Sequence, residues 1–89
     1  MTRQLAAKIA EEGLAAIFAA DLVRGLREDS PLAAAGLAPA DLVALADAVA
    51  GAARERGRSC VLGDEELSGV VTVADLIAAV EGCLGGDNA

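Results

Sequence analysis

Apolar residues recur along this chain at helical spacing in three stretches, separated by two segments rich in glycine, proline and charge. In TRQLAAKIAEEGLAAIFAADLVRGL the apolar set is Leu5, Ile9, Leu14, Ile17, Phe18 and Leu22. From Leu14 onward the steps are three, one and four, which keep to one face of a helix. The pattern predicts one long helix from Thr2, a natural N-cap, to Gly25, a natural stop. Gly13 lowers helix propensity by about 1 kcal/mol relative to alanine, so a bend or a later start is allowed in its middle.

The stretch REDSPLAAAGLAP then reads as a structured loop. Ser30 followed by Pro31 has the form of an N-cap with proline at the first helical position, opening at most a short turn. Leu32 and Leu37 are its apolar anchors, and Gly36 and Pro39 punctuate its end. A second helix is predicted from about Pro39 to Glu55, with Leu42, Leu45, Ala46 and Val49 as a stripe that Val43 and Ala50 widen. Asp41 in its first turn and Arg54 in its last each suit the helix dipole.

After a glycine-broken basic stretch, Val61 and Leu62 are apolar anchors, and Asp64 can cap one short turn holding Leu67. The last helix places Val73, Leu76, Ile77, Val80 and Leu84 on one face. Thr72 with Asp75 three residues on forms a capping-box-like start, and Gly85 and Gly86 form an end. Residues 87–89 are a tail. The expected fold is all-α: a four-helix bundle with a long first loop and a short third helix.

Composition agrees. The chain has 89 residues, 55% of them hydrophobic, and Phe18 is the one aromatic residue. A core of alanine and aliphatic side chains suits closely packed helices. The net charge of −7, from 14 acidic and 7 basic residues, leaves no broad basic surface for a nucleic-acid backbone. No apolar run reaches membrane-spanning length, and the start of the chain lacks a basic region followed by an apolar one, so a cytoplasmic protein is expected.

Cys60 and Cys83 lack zinc-like spacing; they either pair or, in a reducing compartment, remain thiols. The absence of histidine excludes histidine relays and most metal sites, and no metal is expected. Glu11 with Glu12, and Glu65 with Glu66, read as solvated surface, so no enzyme is expected.

Two stretches carry a family resemblance. DSPLAAAGLAPADLVAL is similar to the pattern D-x-x-L-x-x-x-G-x-D-S-L-x-x-V-E-L of the acyl/peptidyl carrier proteins, with Asp29, Leu32, Gly36, Val43 and Leu45 on matching positions. GDEELSGVVTVADLIAAV is similar to that family's short third helix followed by T-V-x-D-L. The resemblance spans nearly the whole chain and implies a carrier-like domain over residues 1–86.

The family attaches a phosphopantetheine arm to a serine in the first turn of the second helix, directly after an aspartate. Here Ala38 stands at the aspartate position, Pro39 at the serine and Ala40 at the following leucine. Pro39 has no hydroxyl, so phosphopantetheine is not expected there. Proline also fits the first helical position, since its missing N–H has no helical partner and its φ suits the helix.

The resemblance then implies a protein that carries nothing at the usual place. It would instead contact enzymes of a fatty-acid, polyketide or nonribosomal peptide pathway. The expected contact surface is Pro39, Asp41, Leu42 and Val43, with Arg54, Arg56 and Arg58 as a second patch. Two alternatives remain open at this point. One is a working carrier with an unconventional attachment residue, Ser30 or Cys60; the other is a small ligand-binding bundle. The oligomeric state is left open.

Overall fold

The computed structural model describes residues 2–86, and the tail over residues 87–89 lies outside them. Among the described residues the chain is all-α, with five α-helices and one 3₁₀ turn. The helices are α1 (Thr2–Ala15), α2 (Ala20–Gly25), α3 (Asp41–Glu55), α4 (Asp64–Ser68) and α5 (Val73–Gly86), and the 3₁₀ turn is Ala33–Ala35. α1 packs against both α5 and α3, and α4 docks on α5.

The long first helix of the sequence reading is two helices. The break lies after Gly13, where Ile17 and Phe18 donate their N–H groups to Leu14 O and Ala19 turns extended, at ψ 146°. The reason is phase. Leu14 and Val23 are both buried, yet nine positions separate them, about 2.5 turns of continuous helix. One straight helix would aim them at opposite sides, and the corner at residues 16–19 turns both inward. Leu22, placed in the stripe by its spacing, is 41% exposed. Thr2 is the first residue of α1.

The first loop is tied to the start of α5. Leu32 N–H donates to Val71 O at 2.8 Å, Val73 N–H to Ser30 O at 3.3 Å and Ala74 N–H to Glu28 O at 2.8 Å. Pro31 and Thr72 form an isolated antiparallel bridge. Ser30 does not cap the helical turn that follows it: its hydroxyl accepts the Arg27 N–H at 2.9 Å, closing the turn before it. The 3₁₀ turn instead ends at Gly36, whose φ of 107° is open to glycine and strained for other residues.

α3 begins at Asp41, two residues after Pro39, because the entry is a tight turn. Asp41 N–H donates to Ala38 O at 2.8 Å and Leu42 N–H to Pro39 O at 3.2 Å. It ends in a Schellman motif: Gly57 N–H donates to Arg54 O and Arg58 N–H to Ala53 O, with Gly57 at φ 72°. Leu45, Val49, Ala52 and Ala53 are its buried residues, with Leu42 and Ala46 half-buried.

Asp64 is the first helical residue of α4 rather than its cap: Gly63 stands at the N-cap, with no side-chain capping bond. α5 buries Leu76, Ile77, Val80 and Leu84 and continues through Gly86.

The capping box of α5 is present. Thr72 Oγ1 accepts the Asp75 N–H at 3.2 Å, and Asp75 Oδ2 accepts the N–H groups of Thr72 and Val71, each at 3.1 Å. The Thr72 N–H, then the Val71 N–H, hold the Asp75 carboxyl below its ordinary range; partial burial opposes them, and the Thr72 hydroxyl adds to them. With the folded pKa lowered, the unfolded chain takes up the proton first as pH falls. Asp75 therefore stabilises the fold above about pH 4, and that contribution fades as pH drops through the folded value. Urea denaturation should find Asp75→Asn less stable than wild type at pH 7, with the difference shrinking below about pH 4.

Candidate functional site

The residues expected to make contacts divide between the two ends of α3. At its front, the entry turn is held by Asp41, whose Oδ2 accepts the Ala38 N–H at 2.9 Å. The carboxylate of the first helical residue thus reaches back three positions to the backbone, as the acidic partner does in a capping box. The reciprocal half is absent because Ala38 has no side-chain acceptor. Pro39 between them is exposed, and no hydroxyl projects from the turn.

Around that turn the surface is apolar. A depression of about 240 Å³ is lined chiefly by Leu32, Leu37, Pro39, Leu42, Val70 and Val71. Within it Val71 is 59% exposed, and Val43, the residue after Leu42, is 63% exposed. Leu22 and Val61, away from this turn, are the other large apolar side chains this open among the described residues. Val70 and Val71 complete this surface from the far side of the sequence, brought in by the Leu32–Val71 hydrogen bond. The VVTV run ahead of α5 was their signal: two branched residues with no helical stripe to serve.

At the far end of α3, about 20 Å away at 1.5 Å per residue, the three arginines separate in role. Arg56 is engaged within the molecule, its guanidinium bonded to the Glu12 carboxylate of α1. Arg54 and Arg58 are exposed, and Arg58 also supplies the backbone N–H that closes the Schellman motif. Arg56 is exposed as well, so all three arginines lie at the surface, with Arg56 also ion-paired to α1.

Ser30 is half-buried, with its hydroxyl committed to the Arg27 N–H. Cys60 is 2% exposed and belongs to the core. It lies at a cleft of about 390 Å³ that also touches Ala46, Asp47, Ala50, Arg54 and Val61. The structure thus brings Cys60 and Arg54 to one cleft, while Ser30 lies elsewhere, at the start of the first loop. Neither cysteine is in a disulfide.

Among the described residues no group of three metal-ligating side chains comes together, and no helix is long and apolar enough to cross a membrane. No family model matches the chain, and no curated protein or solved structure matches it at a significant level.

Proposed function

We propose that this chain is an acyl/peptidyl carrier protein-like domain that carries nothing at the usual position. It acts as an interaction or scaffold partner of enzymes in a fatty-acid, polyketide or nonribosomal peptide pathway. In this reading α1 and α2 together are the first helix of a four-helix carrier-like bundle, α3 the second, α4 the short third and α5 the last. The observation that carries the proposal is the front of α3, an exposed proline at the arm's position ringed by open apolar surface.

The chemistry follows from those side chains. A partner seated there removes Val43, Val71 and the rest of Leu42 from water, at about 25 cal/mol per Å² of apolar area covered. Asp41 already accepts one backbone N–H, which keeps its carboxylate oriented for a basic rim on the partner. Arg54 and Arg58 offer a second, cationic point of contact along the same helix. The negative charge of the whole chain steers it to basic surfaces.

The test is intact mass after incubation with a promiscuous phosphopantetheinyl transferase and coenzyme A, beside a true carrier. Wild-type protein should gain nothing. The variant A38D/P39S/A40L, which writes the family's D-S-L into the same turn, should gain one phosphopantetheine. A gain by wild type would overturn the non-carrying reading, and peptide mapping would test Ser30 and Cys60 as its site. A variant that folds but gains nothing would overturn the carrier resemblance itself.

A further inference from the structure

Cys60 and Cys83 stand 23 positions apart in sequence, on the second loop and on α5, with nothing in their spacing to join them. The structure joins them through Val61. The Val61 N–H donates to Cys83 Sγ at 3.1 Å, and Val61 O lies 3.7 Å from the same sulfur. That amide nitrogen is bonded to the carbonyl carbon of Cys60. In a trans peptide its hydrogen points along the side on which the preceding Cα lies. A sulfur accepting from that N–H is therefore about 4 Å from Cys60 Cα, and the two Cα atoms are no farther apart than about 7 Å. Disulfides span Cα separations of about 4.4–6.8 Å.

We infer that Cys60 and Cys83 form a dithiol pair that closes to an intramolecular disulfide when it meets a small disulfide oxidant. Their environments give them different parts in the reaction. Cys83 is half-buried and lines a depression of about 280 Å³ with Val61, Leu62, Glu66 and Ala79, so an oxidant reaches it first. Cys60 is buried behind the same segment and acts second.

In the first step the Cys83 thiolate attacks a low-molecular-weight disulfide RSSR. A Cys83–SR bond forms and one RS⁻ leaves, to be protonated by water. In the second step Cys60 loses its proton and its thiolate attacks Cys83 Sγ, forming the Cys60–Cys83 bond and releasing the second RS⁻. The two protein thiols are oxidised by two electrons and RSSR is reduced to two RSH. The closed bridge ties the segment between α3 and α4, with the exposed Val61 and Arg58, directly to α5. It takes in a loop long enough to restrict the unfolded chain appreciably.

The probe is bis(2-hydroxyethyl) disulfide, which is uncharged and so is not repelled by Glu66. Oxidised wild-type protein should form no disulfide-linked dimer and should lose the mass of two hydrogens per chain. A non-reducing digest should yield one linked peptide pair containing residues 60 and 83. Its Tm should rise by on the order of 10 °C over the reduced form. Cys60→Ala should stop at a persistent mercaptoethanol adduct on Cys83, and Cys83→Ser should form no internal bridge. Persistent adducts on wild type, disulfide-linked dimers, an unchanged thiol count, or an oxidised form that melts no higher would each overturn the pair. None of these outcomes depends on the carrier-like reading.

Discussion

Replacing Leu76 by alanine is expected to lower the unfolding free energy by about 3 kcal/mol, read as a shift of the urea midpoint at unchanged slope. Leu76 is 0% exposed and belongs to α5, the helix against which α1 packs most extensively. The loss joins the transfer free energy of the deleted carbons to that of the cavity left behind, since the surrounding core relaxes only in part. A domain of this length has on the order of 5–10 kcal/mol in total, so the change removes a large share of it. In thermal melts it corresponds to a fall of on the order of 15 °C. Leu22→Ala is the control, because Leu22 has the same side chain and a place in the apolar spacing of the first segment. With 41% of its surface exposed, its truncation should change stability by less than about 1 kcal/mol. Equal losses at the two sites would contradict the corner between α1 and α2.

Gly13→Ala is expected to destabilise the protein, against the direction of helix propensity. On an isolated helix the change gains about 1 kcal/mol. Here an added Cβ would come 2.7 Å from Val49 Cγ2, with the Val49 backbone nitrogen at 3.4 Å. Val49 is fully buried on α3 and, being β-branched, has no second rotamer to escape into. Either the valine leaves its rotamer or α1 and α3 move apart, at a cost of about 1–3 kcal/mol typical of overpacking. The net loss should be about 1 kcal/mol. The double variant Gly13→Ala, Val49→Ala separates the causes. If the clash is responsible, the two changes couple favourably by more than about 0.5 kcal/mol in a double-mutant cycle. Strict additivity would mean that the helices approach less closely at this point.

Gly13 also illustrates where one-dimensional reading stops. In sequence it looks like a weak point in a helix, and a bend was allowed for there. In the fold it is a contact that only a residue without a side chain permits, and the bend comes later, between residues 16 and 19. The spacing from Leu14 to Leu22 is compatible with one helix. The decision against that helix rests on where α3 and α5 stand, which no local pattern contains. The stripes of α3 and α5 were legible because each of these helices keeps one face to the core from end to end. The Thr72–Asp75 cap was legible because all its partners lie within five residues.

The candidate site divides in the same way. Pro39 in the entry turn, and the absence of any hydroxyl there, are properties of the sequence alone. So are the acidic balance, the helical stripes and the punctuating glycines, because propensity, period and turn chemistry act over a few neighbouring residues. The tertiary structure alone decided that Val70 and Val71 meet Leu32 and Pro39 at one depression and that Arg56 pairs with Glu12 of α1. It also set Cys83 against the peptide bond that follows Cys60. Each of these pairings joins residues more than twenty positions apart. Such contacts arise only after the helices have packed, because burial of their apolar faces, not local preference, brings those segments together.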